Sequence, residues 1–280
     1  MTEARGDRAR VKAQNTGVSF AESTGRSLAL WSPTLLRFRR RLRNVCAKYP
    51  RIYFSLVGFS RRSSGLVTRS SALVVEGYPR SANSWTEAAF LLLLGDSASI
   101  GHHTHASAQV KRAVEWQIPT VVLYRCPDDA VISRLMQEPR STDLFLAYSE
   151  YVSFYSEVFS YRARFLLVSF SQATNDLEGV VGALNQRFGT SFGVPEPRTH
   201  SPARIHALVD ELTRERIGDL RASYSVHRSQ RELKEREEYR RTLFADIEAP
   251  QLQLIRRAAL SWFRRLENAN TLQPRGIANT

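Results

Sequence analysis

The chain has 280 residues, 42% of them apolar, so it can bury a core without staples; with only Cys46 and Cys126 it excludes a disulfide framework, and a reducing compartment, the cytoplasm, is expected. Its longest apolar run, "AAFLLLLG", falls far short of the ~20 residues a spanning helix needs, and no signal-peptide core is read at the start, so neither membrane insertion nor secretion is expected. The formal net charge of +13 comes mostly from arginine, which pairs bidentately with phosphate and sulfate; the sign calls for an anion, and nucleic acid, an anionic membrane surface and a polyphosphorylated cofactor all qualify.

Residues 1–30 are polar and basic without sustained periodicity and are expected to form a flexible tail. From Pro33 to Lys48, Leu35, Leu36, Leu42 and Val45 alternate with Arg37, Arg39, Arg40, Arg41 and Arg43, the pattern of a basic amphipathic helix. The expectation is a helix covering the domain edge, with peripheral contact with an anionic membrane as the alternative. Three strand-then-helix units follow. "SALVVEG" leads through a turn to "NSWTEAAFLLLL", which stops at Gly95; "TVVLYR" leads to "CPDDAVISRLM", with Pro127 and two aspartates where a first turn favours them; "FLLVSF" leads to "NDLEGVVGALNQRFG", closed by Gly189. Short apolar strands alternating with helices predict an α/β fold with a central parallel sheet covered on both faces, over residues 31–195. Residues 196–280 carry helical patterns only: Ile205, Leu208, Val209 and Leu212 at helical spacing, and Glu232–Arg236 and Glu237–Arg241 as i,i+4 pairs. They are expected to form a helical C-terminal cap packed on the same domain.

The turn "EGYPRSANSW" is where chemistry is expected. A strand, a tight loop and a helix start present backbone N–H groups and a positive helix end to an anion. A phosphate loop of the triphosphatase kind would have lysine where Asn83 stands, and aspartate where the strand "TVVLYR" ends in Arg125, so magnesium-dependent phosphoryl transfer is disfavoured. "SWTE", Ser84 to Glu87, also has the form of a capping box. Ala82, in a position that commonly holds glycine, is expected to keep a negative φ.

"YPRSANSW" resembles the 5′-phosphosulfate-binding loop of the sulfotransferases, "RCPDDAVIS" resembles their 3′-phosphate-binding segment in Arg125, Pro127, Asp129 and Ser133, and "HTH" at His103, Thr104 and His105 resembles the histidine-bearing segment between the two. The match runs from Leu73 to Gly189. The resemblance implies a P-loop-like three-layer domain and metal-independent transfer of a sulfuryl group from 3′-phosphoadenosine 5′-phosphosulfate to an acceptor hydroxyl or amine. It implies that backbone amides from Ser81 through Ala82 and Asn83 to Ser84 hold the 5′-phosphosulfate and that Trp85 lies near the adenine. Arg125 and Ser133 are implied to hold the 3′-phosphate, Arg80 to stabilise the departing phosphate, and His105 to act as general base. The acceptor, a small molecule or a glycan, would enter between variable segments at Ser60–Ser71, Arg140–Tyr161 and the helical cap. Asp128 stands where the family often has a basic residue, and Arg228, Arg231 or Lys234 are candidates for its C-terminal nucleotide-covering loop.

Rival readings are a nucleotide or sugar kinase with an atypical loop, and a basic nucleic-acid-binding protein; the aromatic interleaving of a single-strand platform is not apparent, so no nucleic acid is expected. Arg125 and Asp129 could pair with each other, and Asp128 could serve the helix end alone. His102, His103 and His105 lack a second ligand pair at zinc spacing, so no metal is expected.

Overall fold

The computed structural model describes residues 32–57, 65–95, 97–138, 141–217 and 230–272. In chain order its elements are α1 (Pro33–Cys46), α2 (Pro50–Val57), β1 (Leu73–Gly77), α3 (Asn83–Leu94), β2 (Ile100–His102), α4 (Ser107–Glu115), β3 (Thr120–Tyr124), α5 (Pro127–Gln137), α6 (Leu144–Val158), β4 (Leu166–Ser169), α7 (Phe170–Asn175), α8 (Leu177–Phe188), α9 (Pro202–Ile217), α10 (Gln230–Asp246) and α11 (Gln253–Ala269). The strands form one parallel sheet in the order β2-β1-β3-β4.

β1 and β3 are buried along their whole length, which is why they read as continuous apolar runs. Successive side chains leave opposite faces of the sheet. Val121 and Leu123 join Phe90 of α3 and Val180, Val181 and Leu184 of α8 in one core. Val122 and Tyr124 join side chains of α4, α5, α6 and α11 in the other. The molecule is therefore α/β, with helices packed on both faces of the sheet. α9 adds to the first layer, laying Ile205, Leu208, Val209 and Leu212 against Trp85, Ala88 and Ala89 of α3, as their spacing predicts.

Two elements depart from the sequence reading. β2 is a three-residue edge strand inside the segment read only as a histidine-bearing link. Leu144–Val158, expected to be part of a variable acceptor loop over Arg140–Tyr161, is a helix whose Tyr148, Tyr151 and Tyr155 are fully buried. Their hydroxyls resolve the apparent conflict between burial and polarity. Tyr155 donates to the Leu123 carbonyl (2.8 Å) and accepts from Tyr78 N–H (3.3 Å), Tyr151 donates to the Arg125 carbonyl (2.8 Å), and Tyr148 donates to Asp128 (2.6 Å). One helix face thus fixes the backbone leaving both β1 and β3.

Several expectations concern residues outside the description. The tail at 1–30, Arg228, part of the Ser60–Ser71 segment, and the side chains of Arg231, Glu232 and Arg236 lie there. On α10, Lys234 is exposed, and Glu237 pairs with Arg240 at 3.7 Å rather than with the expected Arg241.

Replacing Tyr155 by Phe removes the hydroxyl that donates to the Leu123 carbonyl and accepts from Tyr78 N–H. The variant is expected to lose about 1–3 kcal/mol of stability, read as a lower urea midpoint with an unchanged slope.

Candidate functional site

The site is built where the chain leaves the carboxyl ends of β1 and β3. Gly77 closes β1 so near its neighbour that an added Cβ would lie 2.5 Å from the Leu123 carbonyl oxygen, so the loop begins at a position open only to glycine. The loop then turns sharply: Arg80 and Ala82 both have φ of +73°. The expectation that Ala82 keeps a negative φ is therefore overturned. A left-handed alanine costs roughly 1–2 kcal/mol, and it persists because the flanking residues are fastened, Tyr78 by Tyr155 and Asn83 through its side-chain N–H to the Tyr78 carbonyl (3.0 Å).

The capping box is also absent. α3 starts at Asn83, with Ala82 as its N-cap and no side-chain cap, so Ser84 lies inside the first turn rather than before it. An uncapped helix start with no acidic residue in its first turn leaves that positive end to be satisfied by something else.

Three of the expected site residues, Arg80, Arg125 and Ser133, are in contact. Arg80 Nε donates to Ser133 Oγ on α5 (2.9 Å), and Arg125 Nη1 donates to the Arg80 carbonyl (3.3 Å) while its guanidinium lies 4.3 Å from the centre of the Phe170 ring. The loop after β1 and the loop after β3 thus meet through three of the predicted residues. Arg80 faces Ser133, the residue assigned to the 3′-phosphate. Trp85 is turned to α7 and α9, donating Nε1–H to the Ala173 carbonyl (3.2 Å) with its ring edge-on to His206. Asp128 is held by Arg256 (2.8 Å) and Tyr148, which ties α5 to α11.

The histidine segment is fastened by a carboxylate that the sequence reading did not single out. Glu76, fully buried on β1, accepts from Thr104 N–H (2.8 Å), Thr104 Oγ1–H (2.7 Å) and His105 N–H (2.9 Å). His103 and His105 both adopt left-handed φ, +54° and +51°. His105 Nδ1 donates to the Gly77 carbonyl (2.9 Å), which fixes the tautomer and leaves Nε2 with its lone pair. Burial, reinforced by the neighbouring His103, lowers its pKa to about 3, so the ring is neutral at ordinary pH with Nε2 unprotonated, and the same shift makes it a weaker base than a solvated imidazole. It lines a cavity of about 40 Å³ together with Arg43, Asn44, Tyr78, Arg134 and Glu150.

A second carboxylate, Glu87, accepts from His102 Nε2 (3.1 Å) and His103 Nδ1 (3.0 Å) and is paired by Arg216 of α9. His103 Nε2 is then free to accept from the Ser84 hydroxyl (2.8 Å), so a chain of groups runs from α9 to the loop. Burial opposes the charge on Glu87, but the hydrogen bonds from His103 and Arg216 hold its pKa down at about 2. Burial lowers His102 to about 4. Ligand atoms of Glu87, His102 and His103 lie within 4.8 Å of one another, a set able to hold a metal ion that no sequence spacing announced, since Glu87 comes from another element. Arg216 already supplies a cation to that carboxylate.

No family model and no curated protein matches this sequence.

Two predictions follow from the geometry. Ala82→Gly relieves the left-handed strain and is expected to raise stability by about 1 kcal/mol, visible as a higher melting temperature. His102 and His105 have folded pKa values below 6.5, so below that pH the unfolded chain takes up protons the folded chain refuses. Glu76, whose carboxyl is pushed up by burial, acts in the opposite direction, one group against two. Stability is therefore expected to fall between about pH 7 and about pH 5, with the urea midpoint lower at the acid end.

Proposed function

We propose that this protein is a sulfotransferase with a P-loop-like fold that takes 3′-phosphoadenosine 5′-phosphosulfate as donor. One observation carries the reading. The loop after β1 and the segment after β3 are joined by Arg125 to the Arg80 carbonyl and by Arg80 to Ser133, with the neutral imidazole of His105 anchored on the Gly77 carbonyl where the first loop begins.

The residues fit an anion of this kind. The uncapped start of α3 and the turned backbone from Ser81 to Ser84 suit the 5′-phosphosulfate, and Arg125 and Ser133 suit the 3′-phosphate. The donor supplies an activated sulfuryl group and a stable leaving anion. The chain supplies position and charge. Nε2 of His105 accepts the proton of the acceptor hydroxyl or amine as the acceptor oxygen or nitrogen bonds to sulfur. Arg80, always protonated, stabilises the charge that remains on the departing adenosine 3′,5′-bisphosphate. Glu76 keeps the imidazole in place through two backbone N–H groups and the Thr104 hydroxyl. The cavity walled by Arg43, Arg134 and Glu150 is the entry for the acceptor's reactive group, from a small molecule or a glycan. No helix among the described residues is long and apolar enough to cross a membrane, and Cys46 and Cys126 are free thiols, in keeping with a cytoplasmic enzyme.

Adenosine 3′,5′-bisphosphate is expected to raise the melting temperature of the purified protein, while ATP with magnesium does not; the reverse result would favour a kinase. With labelled donor, His105→Ala is expected to lower turnover by roughly 10²–10⁴-fold. Arg125→Ala is expected to weaken donor binding by about ten- to a hundredfold with the smaller effect on turnover. Unchanged kinetics in both variants would overturn the assignment.

A further inference from the structure

α1 is oriented opposite to what an amphipathic helix on a domain edge normally shows, while α2 packs Tyr53, Phe54 and Val57 inward and leaves Ile52 and Leu56 exposed. α1 is attached to the body by its polar side. Arg40, only 7% exposed, is paired with Glu150 and Glu138 and also donates to Ser141; Asn44 donates to Glu150; Arg37 pairs with Asp143. These residues recur at helical spacing and define the inward face. The apolar side faces away. Leu35, Phe38, Leu42 and Val45 are spaced by three and four residues, and the spacing continues through Tyr49, Ile52 and Leu56. All seven are exposed, from 46% for Leu35 to 64% for Phe38.

The junction does not interrupt the stripe. N–H groups at Ala47, Lys48, Tyr49 and Tyr53 bond back to Arg43, Val45, Cys46 and Tyr49, so the chain stays helix-like between the two elements. Apolar area of this length is ordinarily turned to the core, and its exposure calls for an occupant. The charge beside it says which. Pro33–Val57 contains Arg37, Arg39, Arg40, Arg41, Arg43, Lys48 and Arg51 and no acidic residue. By helical geometry Arg39 and Arg41 stand on opposite flanks of the stripe, and both are exposed. A second copy of the same face would bring arginine against arginine along the whole seam. A lipid surface accepts the apolar side chains between its headgroups, while flanking arginines reach anionic phosphates with their long stems lying on the apolar region.

We propose that α1 and α2 form a docking face for an anionic membrane surface, with Leu35, Phe38, Leu42, Val45, Tyr49, Ile52 and Leu56 entering the headgroup region and the arginines pairing with lipid phosphate. The cations bound to Glu138, Glu150 and Asp143 hold the helix so that this face points outward before any lipid is met.

The test is co-sedimentation of the full chain with phosphatidylcholine vesicles, with and without phosphatidylserine, and in the absence of any donor, so that its result is independent of the catalytic reading. Binding to the anionic vesicles is expected, at least about tenfold above that to phosphatidylcholine alone, and falling as salt rises. Phe38→Asp combined with Leu42→Asp is expected to abolish binding while circular dichroism and melting temperature stay those of the parent, because both positions are exposed. Should that variant fail to fold, Arg39→Glu with Arg41→Glu replaces it and is expected to lose the preference for anionic vesicles. Three results would each overturn the proposal: a parent protein that stays in the supernatant at low salt, folded variants that bind as the parent does, or a lipid-free dimer in analytical ultracentrifugation that Phe38→Asp with Leu42→Asp converts to monomer.

Discussion

Glu76 is the interaction on which the site depends. A carboxylate with no exposed surface in the middle of a parallel sheet is costly unless its oxygens are filled, and here both are filled from the histidine segment and from Gln109. Those bonds pull the chain after β2 across the end of β1, where His105 meets the Gly77 carbonyl. Without that tie, β2 is a three-residue edge strand with little of its own to hold the segment in a left-handed conformation. Strain in the loop at Arg80 and Ala82 and strain in the segment at His103 and His105 lie next to each other, and each is sustained by buried hydrogen bonds supplied by a neighbouring element. Such clustering fits a site held ready for a ligand, where the backbone N–H groups must point at something other than their own helix.

The second organising device is the row of tyrosines on α6. Their rings fill the core between α5 and the sheet, and their hydroxyls meet the backbone at Leu123, Arg125 and Tyr78. Both loops are consequently referenced to one rigid helix, and the Arg125–Arg80 and Arg80–Ser133 contacts inherit that alignment. α9 does the corresponding work on the other side, carrying Arg216 to Glu87 and so fixing His102 and His103. The two faces of the sheet therefore contribute separately to one edge.

Much of this was legible before the fold was seen, and the gaps have physical causes. β1, β3 and β4 were readable because buried parallel strands are apolar on both faces, and α3, α5 and α8 because glycine or proline marks their ends. α6 was not, since its inward face is made of tyrosines whose hydroxyls read as polar until backbone carbonyls are found for them. β2 was too short to carry a pattern. Arg80, Ser133 and Arg125 could be named from motif spacing, but Glu76 and Glu87 could not, because a buried acid within "LVVEG" or "NSWTEAAF" shows its purpose only when histidines from β2 arrive. The expected capping box failed because Ser84 sits two residues too far in, inside the first turn, where its hydroxyl serves His103. In α1 the periodicity was right, and the direction of its apolar face was decided by Arg40 and its partners, which periodicity does not contain.

The central claim is that the two loops form one binding site, and a double-mutant cycle in affinity for adenosine 3′,5′-bisphosphate tests it most directly. Isothermal titration of the parent, Arg80→Ala, Ser133→Ala and the double variant should show losses that do not add, with a coupling of about 0.5 kcal/mol or more, because the two side chains act as one contact. Losses that add, or no loss in any of the three variants, would contradict a shared site.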